Sequence, residues 1–309
     1  MNVAGGRTLK SRFLQRPVPD AVFELASEYV SGIRVSRRRR SVQARVILPV
    51  DRGTYVSSFD RPNIADGVSL GERVEEMKER LRLSSGMVAL LIPEPCLRVL
   101  VLAVDAIPEA QAERDSFVRW RVAKQMPVLP DDLRLDYAVS SGTQPRKVVA
   151  ALAREAVVRE YEAAFETAGL NVGAVTVPSL SLFNVADGPA GGSSLLLNIE
   201  EDHLSLLAVM DGDCVLYRQK NISPAATSDG NIGQVITEVE NTLHFLEDKE
   251  KKKMERIWIR LGALNEAPEI LPRLKAALTL PLRTIDEAVD EDWGVREKAL
   301  LAPLLGQLP

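Results

Sequence analysis

One order of elements occurs twice along this 309-residue chain, and it constrains the fold more than any single motif does. Near the start, Ala21–Leu25, Val30–Val35 and Gln43–Leu48 read as three strands joined by short turns, with Arg37–Arg40 at an exposed hairpin tip. A helix follows over Gly67–Leu83, where Leu70, Val74, Met77 and Leu81 form one apolar stripe. Met87–Ile92 is a continuous apolar run stopped by Pro93, the pattern of a buried strand. The second half repeats the series. Ser194–Asn198, Leu204–Met210 and Cys214–Arg218 are strands, and Thr227–Asn231 is a polar loop. A helix then runs from Ile232 to about Asp248, Arg256–Leu261 is a strand, and Glu269–Leu278 and Val295–Leu305 are helices. The halves match in architecture and not residue by residue, which predicts a duplicated α/β fold of two domains.

The first half carries extra material. Leu97–Val104, Leu133–Val139 and Lys147–Leu152 are strands, and Glu109–Gln125 is a helix. That helix has acids in its first turn and Arg119, Arg121 and Lys124 in its last, a polarity matched to the helix dipole. Phe117 and Trp120 share one of its faces, as core or as a partner surface, with core the simpler reading. The repeated pattern then resumes with a helix at Glu155–Ala168, a strand at Val172–Val177 and a short helix at Ser179–Val185. The glycine-rich stretch Asp187–Ser193 reads as a linker. The expected organisation is therefore a flexible tail at 1–18, a first domain at 19–94 plus 155–186, an inserted α+β subdomain at 95–154, a linker at 187–193 and a second domain at 194–309.

Composition excludes several classes. An apolar fraction of 46% supports sizeable cores, and a net charge of −4 argues against a general nucleic-acid binder. Cys96 and Cys214 are the only cysteines and have no zinc or disulfide spacing, which suits a reducing compartment. No apolar run approaches the roughly 18–20 residues that span a bilayer, and Met1–Arg16 lacks the apolar core of a secretory signal. His203 and His244 are the only histidines, neither sits in a nucleophile motif, and His244 reads as structural. No Walker or dinucleotide fingerprint is present.

The turns that open the two halves carry the functional signal. Phe23–Val30 and Leu197–Leu204 are strand–turn–strand junctions without glycine, and they hold Glu24, Glu28, Glu200, Glu201 and Asp202. A phosphate needs close backbone N–H groups and positive potential, whereas these turns offer bulk and negative charge. Asp202 and His203 lack the defined spacing of a divalent-metal loop, and a solvated acidic turn is the expected reading, with no metal assigned.

The order of elements resembles the actin-like (ribonuclease H-like) ATPase superfamily, and within it the PilM-type proteins of type IV pilus assembly, which are related to the cell-division protein FtsA. Pro62–Gly67 ahead of a helix, the step from Ala89–Pro93 to Val99–Leu102, the helix end Arg119–Pro127, the strand Leu133–Tyr137, the strand-to-helix passage Val148–Glu155 and the helix stop Ala168–Leu170 carry the likeness. The departures lie in the nucleotide motifs. Where the family's first phosphate loop has aspartate and glycine, this chain has Glu24, Leu25, Ala26 and Ser27. The second loop is Asn198-Ile199-Glu200-Glu201, and the adenosine motif keeps one glycine, Gly262. The helical subdomain that the family carries after the third strand of its second domain is replaced by about ten residues between Ile222 and Ile232, so the cleft is expected to be open on one side.

This resemblance implies an actin-like fold with an inserted α+β subdomain and a reduced second domain, and a scaffold rather than an enzyme. It implies a cytoplasmic protein held at the inner membrane through the N-terminal peptide of a PilN-like membrane protein, alongside other pilus assembly components and with homo-oligomers as a family habit. ATP with magnesium is disfavoured as a cofactor, because Glu24, Ala26, Ser27, Asn198, Glu200 and Gly262 are degenerate loop positions. The peptide groove of the family lies between the first subdomain and the insert, and its expected walls here are Leu97, Val99, Leu100, Leu102, Phe117 and Trp120. The alternatives are an active actin-like ATPase and the cytoplasmic L-type scaffold of a type II secretion system.

Overall fold

The computed structural model describes residues 18–36, 38, 41–140, 145–186, 192–222, 229–251, 253–263 and 270–308. The predicted tail, most of Arg37–Arg40 and the core of the predicted linker lie outside the described residues.

Two five-stranded sheets have the same topology. The first consists of β1 (Ala21–Ala26), β2 (Tyr29–Ser36), β3 (Ser41–Pro49), β4 (Gly86–Leu91) and a distal strand, Leu170–Thr176. The second consists of Ser193–Ile199, His203–Met210, Asp213–Asn221, Arg256–Leu261 and Leu282–Thr284. Between β4 and that distal strand in sequence stand β5 (Leu97–Val104), β6 (Leu133–Val139) and β7 (Arg146–Arg154), which form a separate three-stranded sheet in the order β5-β7-β6. In chain order the remaining strands are therefore β8 (Leu170–Thr176), β9 (Ser193–Ile199), β10 (His203–Met210), β11 (Asp213–Asn221), β12 (Arg256–Leu261) and β13 (Leu282–Thr284). The first large sheet runs β3-β2-β1-β4-β8 and the second β11-β10-β9-β12-β13. In each, three antiparallel strands are followed by two that join in parallel. The duplication read from the sequence is thus present strand for strand.

The helices cover the sheets as their stripes require. They are α1 (Gly67–Arg80), α2 (Gln111–Gln125), α3 (Glu155–Thr167), α4 (Pro178–Ala186), α5 (Asp229–Glu250), α6 (Ile270–Ala277) and α7 (Val295–Leu305). Leu70, Val74, Met77 and Leu81 are fully buried and share a core with Phe23, Leu25 and Phe165. The opposite face of the same sheet packs Val22, Ile33 and Leu91 against Leu301 and Leu304 of α7. Alternation along β1 therefore sends Phe23 and Leu25 one way and Val22 and Glu24 the other.

Some expectations change. Helix α5 begins at Asp229, inside the segment read as a loop. Strand β13 has three residues and centres on Arg283, which is too short for an alternating signal, yet it completes the second sheet. The segment 194–309 is not self-contained, because α7 packs on the first half's sheet and on α4. His244 is exposed on α5 rather than structural. Among the described residues, no helix is long and apolar enough to cross a membrane.

The α4–α7 contact depends on a close backbone approach. A Cβ on Gly306 would lie 2.0 Å from the Ser181 carbonyl oxygen. Ser181 Oγ donates to the Pro303 carbonyl at 2.5 Å, and Asn184 donates to the Gly306 carbonyl at 2.8 Å. We expect Gly306→Ala to cost about 1–3 kcal/mol through overpacking, read as a lower midpoint in thermal unfolding.

Candidate functional site

The two acidic turns face each other where the sheets meet. Ser27 Oγ donates to Asp202 Oδ1 at 2.9 Å, which joins the β1–β2 turn directly to the β9–β10 turn. Arg52 bridges the same turns, bonding Glu28 at 3.2 Å and also pairing with Glu201. The Ala26 carbonyl accepts from the Tyr55 hydroxyl, so this turn is held from inside the first domain as well.

Beneath the turns lies a buried arginine. Alternation along β12 sends Ile257 and Ile259 into the second domain's core and Trp258 and Arg260 toward the first domain. Arg260 is 0% exposed. Its Nη1 donates to Asn198 Oδ1 at 3.1 Å and to Glu200 Oε1 at 2.6 Å. Its Nη2 donates to Glu24 Oε1 at 2.9 Å, the Tyr29 hydroxyl at 2.7 Å and the Leu300 carbonyl at 3.2 Å. Nε donates to the Ala299 carbonyl at 2.9 Å. Pro303 lies four residues after Ala299 and has no N–H to offer that carbonyl, so the proline frees the acceptor that Arg260 takes. Every N–H of the guanidinium is used, by β1, β2, β9, the turn after β9 and α7.

The six degenerate loop positions therefore separate into clear roles. Glu24, Asn198 and Glu200 are partners of Arg260, and Ser27 joins the turns. Ala26 is buried and contributes its carbonyl. Gly262 makes room, because a Cβ there would sit 2.2 Å from Glu200 Oε1. The sequence shows no lysine near the turns, but the charge is met by arginines from elsewhere, Arg52 and Arg260. Sequence reasoning missed both. The available signal was Arg256-Ile257-Trp258-Ile259-Arg260-Leu261, an apolar strand in which alternation places Arg260 on the same inward face as Trp258.

Two ionised carboxylates and one guanidinium in a dry site would leave a net negative charge, and a proton held on Glu24 relieves it. Burial pushes the Glu24 carboxyl up to about 8, and Glu200 adds to that shift while Arg260 opposes it. Burial works against the charge on Arg260, but Glu24, Tyr29 and Glu200 outweigh it and hold the guanidinium charged. Removing one partner from such a buried set typically costs about 3–5 kcal/mol, because the remaining charge is left unpaired. His203 is buried beside this set, and its Nδ1 lies 2.7 Å from Asp202 Oδ1. Burial opposes its protonation, yet Asp202, Glu200 and Glu94 together raise its pKa. Among the described residues, no group of three or more His, Cys, Asp or Glu side chains is placed to hold a metal ion.

The expected peptide walls divide differently. Leu97, Val99 and Leu102 are buried. Leu102 belongs to the core of the insert, with Leu100 and Phe117 packed against that core, so Leu102 cannot meet a partner in this conformation. Trp120 is 52% exposed, which overturns the core reading for that residue. A groove of about 650 Å³ does lie between the insert and the first domain. Its walls are Leu133–Asp136 on β6, Ala151–Ala153 on β7 and Val172–Val175 on β8, with Leu97 and Arg119 at its margin. Runs of consecutive strand residues line it because it lies along strand edges. Among the described residues, β8 pairs only with β4, and β6 pairs only with β7, so each has one unpaired edge.

No protein-family model matches the chain, and no curated protein matches it in sequence. Solved structures do match, and they establish an actin-like fold. A protein of actin-like ATPase fold from Bacteroides thetaiotaomicron superimposes with a TM-score of 0.55 at 12% identity, over 94% of this chain and 97% of that one. The ethanolamine utilization protein EutJ from Carboxydothermus hydrogenoformans gives 0.51 at 8% identity, over 97% and 93%. A chain in the PilM–PilN type IV pilus biogenesis complex is more similar, with a TM-score of 0.78 at 18% identity over 95% of this chain and 98% of that one. The PilM-like architecture expected from the sequence is the architecture found.

The shifts set a pH dependence. Between its ordinary 4.5 and about 8, folded Glu24 holds a proton that the unfolded chain has released, so stability falls as pH rises through that window. The raised His203 value acts in the same direction: its contribution is full below 6.5 and is lost as pH rises through the folded value. We expect the denaturant midpoint to fall from pH 6 to pH 9, and Glu24→Gln, which keeps the neutral shape, to flatten much of that slope.

Proposed function

We propose that this chain is a non-catalytic scaffold with an actin-like fold that works in type IV pilus assembly at the cytoplasmic face of the inner membrane. The observation that carries the reading is the direct bonding of the two turns across the cleft. A nucleotide phosphate bound between them would have to separate Ser27 from Asp202 and displace carboxylates from Arg260. Glu200 takes the space beside Gly262 that an adenosine-side contact would use. The acidic turns have spent their two arginines on each other, so phosphate charge would meet carboxylates without a free cation between them.

Function then moves to the groove between the insert and the first domain. Two unpaired strand edges border one groove of mixed lining, apolar at Leu133, Leu135 and Val172 and charged at Arg134, Asp136 and Glu162, which suits an extended segment adding to a sheet. The similar solved chain comes from a complex with PilN. By that likeness the occupant is the cytoplasmic N-terminal segment of a PilN-like membrane protein, and the groove is how this chain reaches the membrane system. Arg134, paired with Glu162 at 2.8 Å and also with Glu155, fixes β6 to α3 and keeps the channel's width set.

Calorimetric titration with the cytoplasmic N-terminal peptide of a PilN-like membrane protein from the same organism tests the reading. We expect saturable binding that weakens at least tenfold in Val172→Glu and in Leu135→Glu, with Val295→Glu, on a distant exposed position, unchanged. Failure of the intact chain to bind, or binding untouched by both groove substitutions, contradicts it.

A further inference from the structure

Five large apolar side chains stand exposed among the described residues, and two of them, Trp120 at 52% and Val128 at 87%, lie close together in sequence on the insert. Helix α2 buries Val118 and Val122 against β7 and the rest of the insert core, which leaves the indole of Trp120 on the outer face. Pro127 and Pro130 flank Val128 and restrict the loop that presents it. The surrounding charge is one-sided. Residues 116–130 contain Arg119, Arg121 and Lys124 and no acid, in a chain whose net charge is −4. Lys124 Nζ sits 5.6 Å from the Trp120 ring centroid, and Arg121 donates to the Ala103 carbonyl at 2.8 Å. Among the described residues, none of the three cations is in an ion pair. Of the flanking acids, Asp115 accepts from Tyr137 at 2.6 Å and from Gln111 at 2.6 Å, Asp132 pairs with Arg154, and Glu113, two turns before Trp120, is exposed. Asp131 is the one exposed acid close behind Val128.

We infer that the end of α2 and the loop after it form a docking surface for an anionic lipid bilayer. An indole suits the headgroup level, where its body meets acyl chains and its N–H meets water. An exposed valine on the proline-flanked loop eight residues further on adds apolar surface. Unpaired arginines and a lysine beside them complement lipid phosphates. The centre of a protein interface is instead depleted of lysine and encloses its aromatic anchors. Trp120 has Lys124 over its ring and is open to solvent. The surface is distinct from the peptide groove and does not depend on its occupant, although Arg119 stands at the margin of both.

Co-sedimentation of the full chain with vesicles tests the inference, with no peptide present. Vesicles of phosphatidylglycerol and phosphatidylethanolamine are compared with phosphatidylcholine alone. Trp258 is buried and Trp293 half-buried, so a blue shift of tryptophan emission reports Trp120. We expect binding to the anionic vesicles that salt weakens, with the blue shift. Trp120→Ala with Val128→Ser should abolish both, and Arg119→Gln with Lys124→Gln should lower the bound fraction about tenfold or more. Both pairs are surface changes, and unchanged thermal unfolding confirms that the variants are folded. Absence of anionic-vesicle binding by the intact chain overturns the inference. So does binding that survives both variants, or lipid-free self-association that disappears in Trp120→Ala and would assign the surface to a second copy. The peptide titration contains no lipid, so either reading can fail without the other.

Discussion

A single guanidinium holds the two halves of this molecule in register. Arg260 comes from the fourth strand of the second sheet, yet its partners are Glu24 and Tyr29 of the first sheet, Asn198 of its own, Glu200 of the turn after β9, and two carbonyls of the last helix. A buried ion set of this kind contributes little net stability compared with well-packed apolar side chains. Its effect is positional. Each donor has one place to go, so the first sheet, the second sheet and α7 can meet in one arrangement. The Ser27–Asp202 bond and the Arg52 bridge lie above the same junction and act in the same sense.

The insert is tied into this frame from both sides. Arg134 joins β6 to α3 of the first domain, and Lys147 of β7 pairs with Glu250 at the end of α5 at 2.8 Å. Val99 and Val149 of the insert share a core with Cys214 of β11. The groove on β6, β7 and β8 is therefore a fixed channel rather than a gap between loosely joined parts, which is the preorganisation that an extended partner segment would need.

The fold was legible because its signals are periodic. The stripe from Leu70 to Leu81, the run at Met87–Ile92 and the two sets of three short strands need no tertiary information, and all appear in the structure. The absence of glycine from the two turns was also readable directly. The bonding of the acids around them was not. Glu24 and Arg260 are 236 residues apart, and no local pattern announces that a strand arginine will meet a strand carboxylate from the other half. The groove was legible only in outline. The resemblance offered Leu97, Val99 and Leu102 as apolar walls, but it could not say that these side chains pack inward while β6 and β8 leave their edges unpaired. Trp120 was misread for a related reason, since helical spacing gives a face and only packing decides what covers it.

We propose that the cleft serves as an interdomain joint in place of a nucleotide site. Erosion of one loop would leave room for a weak site. Here the two loops bond each other, and the remaining glycine makes space for a carboxylate. Isothermal titration of the intact chain with magnesium-ATP tests the claim most directly. The account predicts no saturable heat at nucleotide concentrations up to the order of 1 mM, a level equivalent to about −4 kcal/mol of binding free energy. A stoichiometric isotherm with a micromolar or tighter Kd would contradict it.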